Sequence, residues 1–279
     1  MRRLGRDDVG TLVEWAAAEG WDPGPGDAEA FWAADPDAFL GFDRDGALAG
    51  GGAVVAYGRA LGFVGLFILR PEFRGAGLGR ELWSEMLVDL RSRLAPGAPI
   101  GLDAVAALQP FYADSGFVAS HDTSRIRFGD LGAAPQGLTP LADVPFADLL
   151  AYDARCFGAE REPFLRTWRE VEGAVGLASL HGDGRIEGYG LIRPTRSGSK
   201  VGPLFAAEAA IAERILRGLL ARRPEGQAVL DVPSANPEAV ELAARLGGGE
   251  VFGTARMWLG DPPPIPWGEV FGMTTLELG

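Results

Sequence analysis

Leu66-Phe67-Ile68-Leu69-Arg70-Pro71-Glu72-Phe73-Arg74-Gly75-Ala76-Gly77-Leu78-Gly79-Arg80-Glu81-Leu82-Trp83 is the stretch that decides the fold of this 279-residue chain. A short apolar run ends at a proline, an arginine opens a glycine-rich turn, and Leu82, Met86, Leu87 and Leu90 then recur at helical spacing. The order reads strand, tight loop, helix. A helix entered this way leaves its first backbone N–H groups without internal partners, and the small residues at 75, 76, 77 and 79 allow close approach to that backbone. The loop is an anion cradle. Phosphate is its natural guest, because the N–H groups and the helix dipole both favour negative charge there.

Spacing narrows the choice of phosphate ligand. The dinucleotide fingerprint G-x-G-x-x-G fails in both registers, since its third glycine would fall on Arg80 or Leu82, and no Gly-Lys-Ser/Thr follows to make a nucleotide-triphosphate loop. What remains is Arg-x-x-Gly-x-Gly, written by Arg74, Gly77 and Gly79. Together with the preceding strand, Pro71 and the amphipathic helix, this pattern resembles the coenzyme A pyrophosphate loop of the GNAT superfamily, the acetyl-CoA-dependent N-acetyltransferases. The resemblance implies that Arg74, Gly75, Ala76, Gly77, Leu78, Gly79 and Arg80 hold the coenzyme. It also implies that Phe67, Ile68 and Leu69 offer main-chain groups to the pantetheine arm and the acetyl carbonyl.

Outward from the loop, residues 9–19 and 27–34 read as helices, the second opening at an Asp27 cap, with a glycine- and proline-rich connection around Trp21 and Asp22. Residues 39–43 and 47–57 read as strands joined across Asp45-Gly46, a hairpin turn pair, and residues 62–69 as a third strand. After the helix come a short strand at 100–104, a helix at 110–115 closed by Gly116, and further strand over 117–128. GNAT domains show this order of elements. Residues 131–140 carry two prolines and no apolar period, so they read as a linker between domains 1–130 and 141–279.

The second half repeats the first. Asp45-Gly46 has its counterpart in Asp183-Gly184, Val64-Gly65 in Val201-Gly202, and Leu102-Asp103 in Leu230-Asp231; Thr123-Ser124-Arg125-Ile126 is matched by Thr254-Ala255-Arg256-Met257. Matches in the same order mark two copies of one fold. The second copy is shorter where the first holds its glycine loop. It runs Gly202-Pro203-Leu204-Phe205-Ala206-Ala207-Glu208 straight into a helix, and an acidic residue there competes with phosphate for the N–H groups. The expected architecture is α/β: two tandem GNAT-like domains, each a mixed, mostly antiparallel sheet flanked by helices, the second degenerate. The final residues, 270–278, are expected to add an edge strand.

Composition sets the outer bounds. The net charge of −12, with Lys200 the only lysine, argues against a nucleic-acid partner. One cysteine, Cys156, excludes an internal disulfide and fits a reducing compartment; two histidines, His121 and His181, argue against a histidine-rich metal site. No apolar run is long enough to cross a bilayer and no signal peptide is visible, so a cytoplasmic protein, monomer or homodimer, is expected.

For the chemistry, the segment Phe111-Tyr112-Ala113-Asp114-Ser115-Gly116-Phe117 resembles the family's Tyr-x-x-x-Gly-Phe. That likeness implies that Tyr112 is the general acid for the departing thiolate. Ala243 stands in its place in the second copy. Asp103 is the candidate general base, although Asp231 at the equivalent position of a copy without the loop speaks equally for a structural role. Between residues 7 and 45 there are eleven acidic residues and one basic, a field that would attract a cationic amine. Trp21, Asp22 and Phe31 are the expected acceptor-binding residues, the first two as an aromatic and carboxylate pair for an ammonium group. Cys156 reads as a small buried hydrophobe. The expected activity is acetyl transfer from acetyl-CoA to a primary amine, small molecule or peptide, by direct attack and without a metal. The alternatives are a non-catalytic coenzyme A sensor and an acyltransferase acting on a protein N-terminus or lysine.

Overall fold

The computed structural model describes residues 1–223 and 226–279. A short strand β1 (Arg2–Arg3) leads into helices α1 (Arg6–Ala18) and α2 (Asp27–Ala34). Strands β2 (Phe39–Arg44), β3 (Ala47–Tyr57) and β4 (Leu61–Leu69) form an antiparallel meander. Its first turn is Asp45-Gly46, both at positive φ (54° and 79°), the conformation that a two-residue hairpin needs. Helix α3 (Leu78–Arg93) crosses over to β5 (Ile100–Ala104), which runs parallel to β4; α4 (Gln109–Ala113) and β6 (Val118–Phe128) follow. Beyond a two-residue strand β7 (Thr139–Pro140), the same order recurs. It comprises α5 (Phe146–Phe157), α6 (Glu162–Arg169), β8 (Val175–Leu180), β9 (Ile186–Pro194), β10 (Gly198–Ala206), α7 (Ala209–Leu220), β11 (Gln227–Pro233), α8 (Pro237–Arg245) and β12 (Gly249–Leu259), with β13 (Val270–Gly272) in addition.

The two halves do not keep separate sheets. One 13-stranded sheet runs β1-β2-β3-β4-β5-β12-β6-β11-β10-β9-β8-β7, so the last long strand of each half lies inside the other half's sheet. β12 pairs with β5 from Ala255↔Ala104 to Leu259↔Ile100, and β6 pairs with β11 from Phe128↔Ala228 to Thr123↔Pro233. The exchanged strands also pair with each other, Thr254 opposite Thr123. The edges of β5 and β11 that a separated half would expose at the junction are thereby paired.

Side chains alternate across β3, which separates two layers. Val54 joins Leu82, Trp83, Met86 and Leu90 of α3 in one core; Ala53 and Val55 join Leu12, Val13 and Phe31 in another. That second core also takes in Phe164, Trp168 and Leu191, so it runs on from one half into the other.

Only two strand pairs are parallel among the described residues, β4 with β5 and β10 with β11. Each stops early. β4 and β5 pair from Gly62↔Ile100 to Val64↔Leu102 and then diverge; β10 and β11 pair from Gly198↔Gln227 to Val201↔Leu230. In the second half the wedge between the diverging strands is filled. β13 pairs with β10 (Leu204↔Gly272, Phe205↔Val270), and the N–H of Met273 donates to the Asp231 carbonyl at 2.8 Å. Thus residues 270–272 form an inner strand rather than the expected edge strand, because the wedge offers unpaired main-chain groups that an outer edge would leave to water.

The chain then crosses to the first half. The Glu277 carbonyl lies so close to Gly65 that a Cβ there would stand 1.7 Å from it, and the Tyr57 hydroxyl donates to the Leu278 carbonyl at 2.7 Å.

Candidate active site

In the first half the wedge between β4 and β5 stays open, and its walls form a small inner chamber. Val64, Leu66, Leu102 and Leu276 make it apolar, while Tyr112, Asp103, Arg125 and Glu277 bring polar groups to its walls. Trp21, Phe67, Val105, Leu108 and Phe252 line both this chamber and an outer cleft, so they form the waist between the two. The outer cleft extends past Ile68 and Leu69 to Arg74, Gly75 and Gly79 at the glycine loop.

The loop has the predicted geometry. Gly75 and Gly77 sit at φ 81° and 82°, and Gly77 is the residue that opens α3. The first bonds of the helix run from the N–H groups of Arg80 and Glu81 to the Gly77 carbonyl. The main-chain N–H groups of residues 75–77 donate to no backbone carbonyl among the described residues, and a Cβ at Gly75 or Gly77 would meet nothing within 4 Å. The Arg74 side chain braces the loop: its Nε donates to the Leu69 carbonyl at 2.8 Å, and its guanidinium pairs with Glu19 at the end of α1. Arg80 is exposed and lies over the Phe111 ring at 5.6 Å.

Leu66 is the backbone exception in β4. It holds φ 49° inside the strand, where the register against β3 shifts between Gly51 and Ala53. A left-handed non-glycine residue costs on the order of 1–3 kcal/mol and persists only where its surroundings impose it. Leu66 stands just past Val64↔Leu102, the last pair of β4 with β5, where the two strands part.

Tyr112 is buried against Trp83, with ring centroids 4.9 Å apart, and lines the chamber. Burial pushes its pKa well above the ordinary tyrosine value. It stays a proton donor throughout the neutral and mildly alkaline range.

Asp103 is fully engaged. Its two carboxylate oxygens accept from Nε and Nη2 of Arg256 at 2.8 and 2.7 Å. Burial pushes this carboxyl upward, with Arg256 pulling the other way. The pseudo-equivalent Asp231 accepts from Nε and Nη2 of Arg125 at 2.7 and 3.0 Å and also pairs with Lys200 at 2.6 Å. Against the desolvation of its site, Lys200 and Arg125 hold Asp231 well below the usual carboxylate range. In each pair, the arginine on an exchanged strand grips an aspartate of the other half. Arg125 also donates to the Trp21 carbonyl at 2.8 Å, fixing that residue at the waist.

The expected acceptor set divides. Trp21 lines the chamber, but the Asp22 carboxylate is turned to the β9–β10 connection, where it accepts from Thr195 Oγ1 (2.8 Å) and from the N–H and Oγ of Ser197 (3.0 and 2.7 Å). Its positive φ of 56° directs it there. Phe31 is wholly buried and stacks on Trp168, with centroids 6.4 Å apart. The apolar face of α2 is spent on joining the halves.

The acidic field is largely neutralised by arginines. Asp8 and Asp43 pair with Arg2, Glu14 with Arg196, Glu19 with Arg74, Asp27 with Arg193, Glu29 with Arg6, and Asp35 with Arg93. Cys156 is buried and its thiol is pushed up to about 12, which removes it as a nucleophile at neutral pH. His121 packs edge-on against Trp267 and is held largely neutral, its pKa lowered to about 4 by burial and by Arg256.

Sequence reasoning missed Phe252, Arg125 and Glu277. They arrive from distant segments, and only the repeat of Arg125 in Arg256 marked any of them.

Loop, strained strand, open wedge and buried tyrosine on this topology define a GNAT acyltransferase, and the chain belongs to that family in its tandem form. Family models described as the acetyltransferase (GNAT) domain match residues 28–129 and 149–272. A holothin acyltransferase of a Pseudoalteromonas species is 30% identical over 272 residues, covering 95% of this chain and 90% of that protein. An uncharacterised N-acetyltransferase of Bacillus subtilis, YitH, is 24% identical over 282 residues, covering 99% and 97%. Among solved structures, a putative acetyltransferase from Pyrococcus horikoshii superposes with a TM-score of 0.84 at 24% identity, over 100% of this chain and 95% of that one. A tandem GNAT protein from the clavulanic acid biosynthesis pathway gives 0.60 at 17% identity, over 93% and 98%. Neither half holds a helix long and apolar enough to cross a membrane among the described residues.

Proposed function

We propose that the chain transfers an acetyl group from acetyl-CoA to the primary amine of a small molecule, using the first half as the catalytic unit. The observation that carries this reading is that the outer cleft, lined by the glycine loop, Phe67, Ile68 and Leu69, shares five lining residues with the chamber that Tyr112 lines. The N–H groups from 75 to 79 receive the pyrophosphate, and the backbone of β4 receives the pantetheine arm. The thioester then lies in the wedge between Leu66 and Leu102, beside Tyr112. Attack by the amine expels a thiolate that Tyr112 protonates, with no acyl-enzyme.

The wedge of the second half holds β13 in place of a coenzyme, which supports a single active site. Asp103 serves on this reading to hold the exchanged strand rather than to take a proton, because Arg256 occupies both its oxygens. Trp21 lines the acceptor end, and Asp22 positions it by anchoring residues 195 and 197. The name of the holothin acyltransferase supports a small-molecule acceptor here too, and makes holothin the first acceptor to try.

The test is calorimetric titration with acetyl-CoA, followed by thiol release with holothin and with benzylamine. Binding and turnover are expected. Binding without turnover on any amine would mark a coenzyme sensor instead, and turnover on lysine peptides alone would move the acceptor to protein.

A further inference from the structure

We propose that Glu277, delivered by the last segment of the second half, receives the ammonium group of the acceptor and removes its proton. The inference rests on the acyl-transfer reading above and adds the chemical class of the acceptor: a compact primary amine with an apolar body, protonated when it enters.

Glu277 lies on the chamber wall at 4% exposure, and its Oε2 is buried without a hydrogen-bond partner among the described residues. A desolvated carboxylate oxygen without a donor is costly, and such groups are retained where something arrives to pair with them. The segment does not need this side chain to stay in place. Tyr57 donates to the Leu278 carbonyl, and the Leu278 N–H donates to Thr275 Oγ1 at 2.9 Å.

The buried charges near Glu277 are three aspartates and four cations, so Glu277 offsets the one positive charge left over. Asp103 is paired with Arg256, Asp27 with Arg193, and Arg125 shares Asp231 with Lys200. Tyr112 is uncharged. Glu277 thus keeps one carboxylate oxygen in want of a donor, on a side chain that lines the chamber together with Val64, Leu66, Leu102, Leu276 and Tyr112. A primary ammonium supplies that donor, and the apolar walls take the rest of the molecule.

The step balances. Glu277 accepts one proton from R–NH3⁺; the freed nitrogen pair attacks the acetyl carbon and forms the C–N bond. The C–S bond then breaks, with its electron pair leaving on sulfur, which takes the Tyr112 proton. The tyrosinate recovers the second nitrogen proton from the new amide, and Glu277 releases its own to water. The products are the amide, coenzyme A and one proton.

The test uses the full chain, with holothin and benzylamine as acceptors between about pH 6 and pH 9, and thiol release as the readout. In Glu277→Gln, kcat/KM near pH 7 should fall about 100-fold or more. Its rate should then rise with pH toward the pKa of the free amine, while acetyl-CoA affinity and Tm stay as in the wild type. Glu277→Ala should regain part of its rate in formate, which a packing role would not produce. A Gln variant with the wild-type rate and profile overturns the proposal. So does a wild-type chain that binds acetyl-CoA yet acetylates neither amine. Failure of the wild type to bind acetyl-CoA strikes the acyl-transfer reading itself.

Discussion

Asp103 and Tyr112 face the same chamber, and their surroundings give them opposite work. Tyr112 lines the chamber with a pKa raised by burial, so it holds its proton at and beyond the pH where free tyrosine loses one. Tyr112→Phe should lower kcat about 100-fold with little change in acetyl-CoA affinity, as expected for a group that acts only on the leaving sulfur. Because the shift is upward, the wild type should show no loss of rate from this group up to about pH 10, and rapid kinetics over that range checks it.

Asp103 has both oxygens committed to Arg256, so its removal leaves a buried guanidinium unpaired. Asp103→Asn should cost about 3–5 kcal/mol in denaturant unfolding while keeping the shape of the pH–rate profile. A profile that loses its acid limb would instead make Asp103 the base. The sequence already held the partners of both aspartates, since Arg125 and Arg256 occupy matched places in the repeat. It held no sign of Glu277 as a chamber residue, because nothing local distinguishes a glutamate that folds across to Gly65.

At the scale of single elements, the wedge between parallel strands is what the two halves share and use differently. β4 and β5 leave it open to a ligand; β10 and β11 close it around β13. Gly272 is packed so tightly that a Cβ would stand 2.2 Å from Leu230 Cδ1. Gly272→Val should therefore push β13 out of its wedge, lowering Tm by several degrees. Residues 274–279 would be displaced with it, so proteolysis of that segment should accelerate and the acyl-transfer rate should fall although the substitution is far from the chamber. An unchanged Tm and rate would mean that the two wedges are independent.

The loop and its helix were legible because every determinant is local: apolar run, proline, glycines, then a period of 3.6. The inner placement of β13 was not, because a short apolar strand reads the same whichever sheet takes it.

For the molecule as a whole, strand exchange makes the two halves one cooperative body. β6 completes the sheet of the second half and β12 that of the first, each through a buried arginine–aspartate pair. The repeat in the sequence revealed two copies of one fold. It was silent on the exchange, since an internal pairing and a swapped one satisfy the same alternation of side chains. A chain ending at residue 130 leaves β5 without β12 and β6 without β11, so it should fail to give a cooperative melt by circular dichroism. The intact protein should unfold in a single transition. Two separate transitions, or a soluble folded fragment, would mean that each half can close its own sheet.

The proposed acyl transfer depends most on the loop at 74–80 as the place where coenzyme binds. Calorimetric titration of acetyl-CoA into the wild type and into Gly77→Glu measures this directly, because the substitution sets a side chain at φ 82° and puts a carboxylate where the pyrophosphate belongs. The wild type should bind in the range of about 1 μM to 1 mM typical of enzyme substrates, and the variant, with its Tm within a few degrees, should give no binding heat. Equal affinity in the two proteins would contradict the placement of the coenzyme.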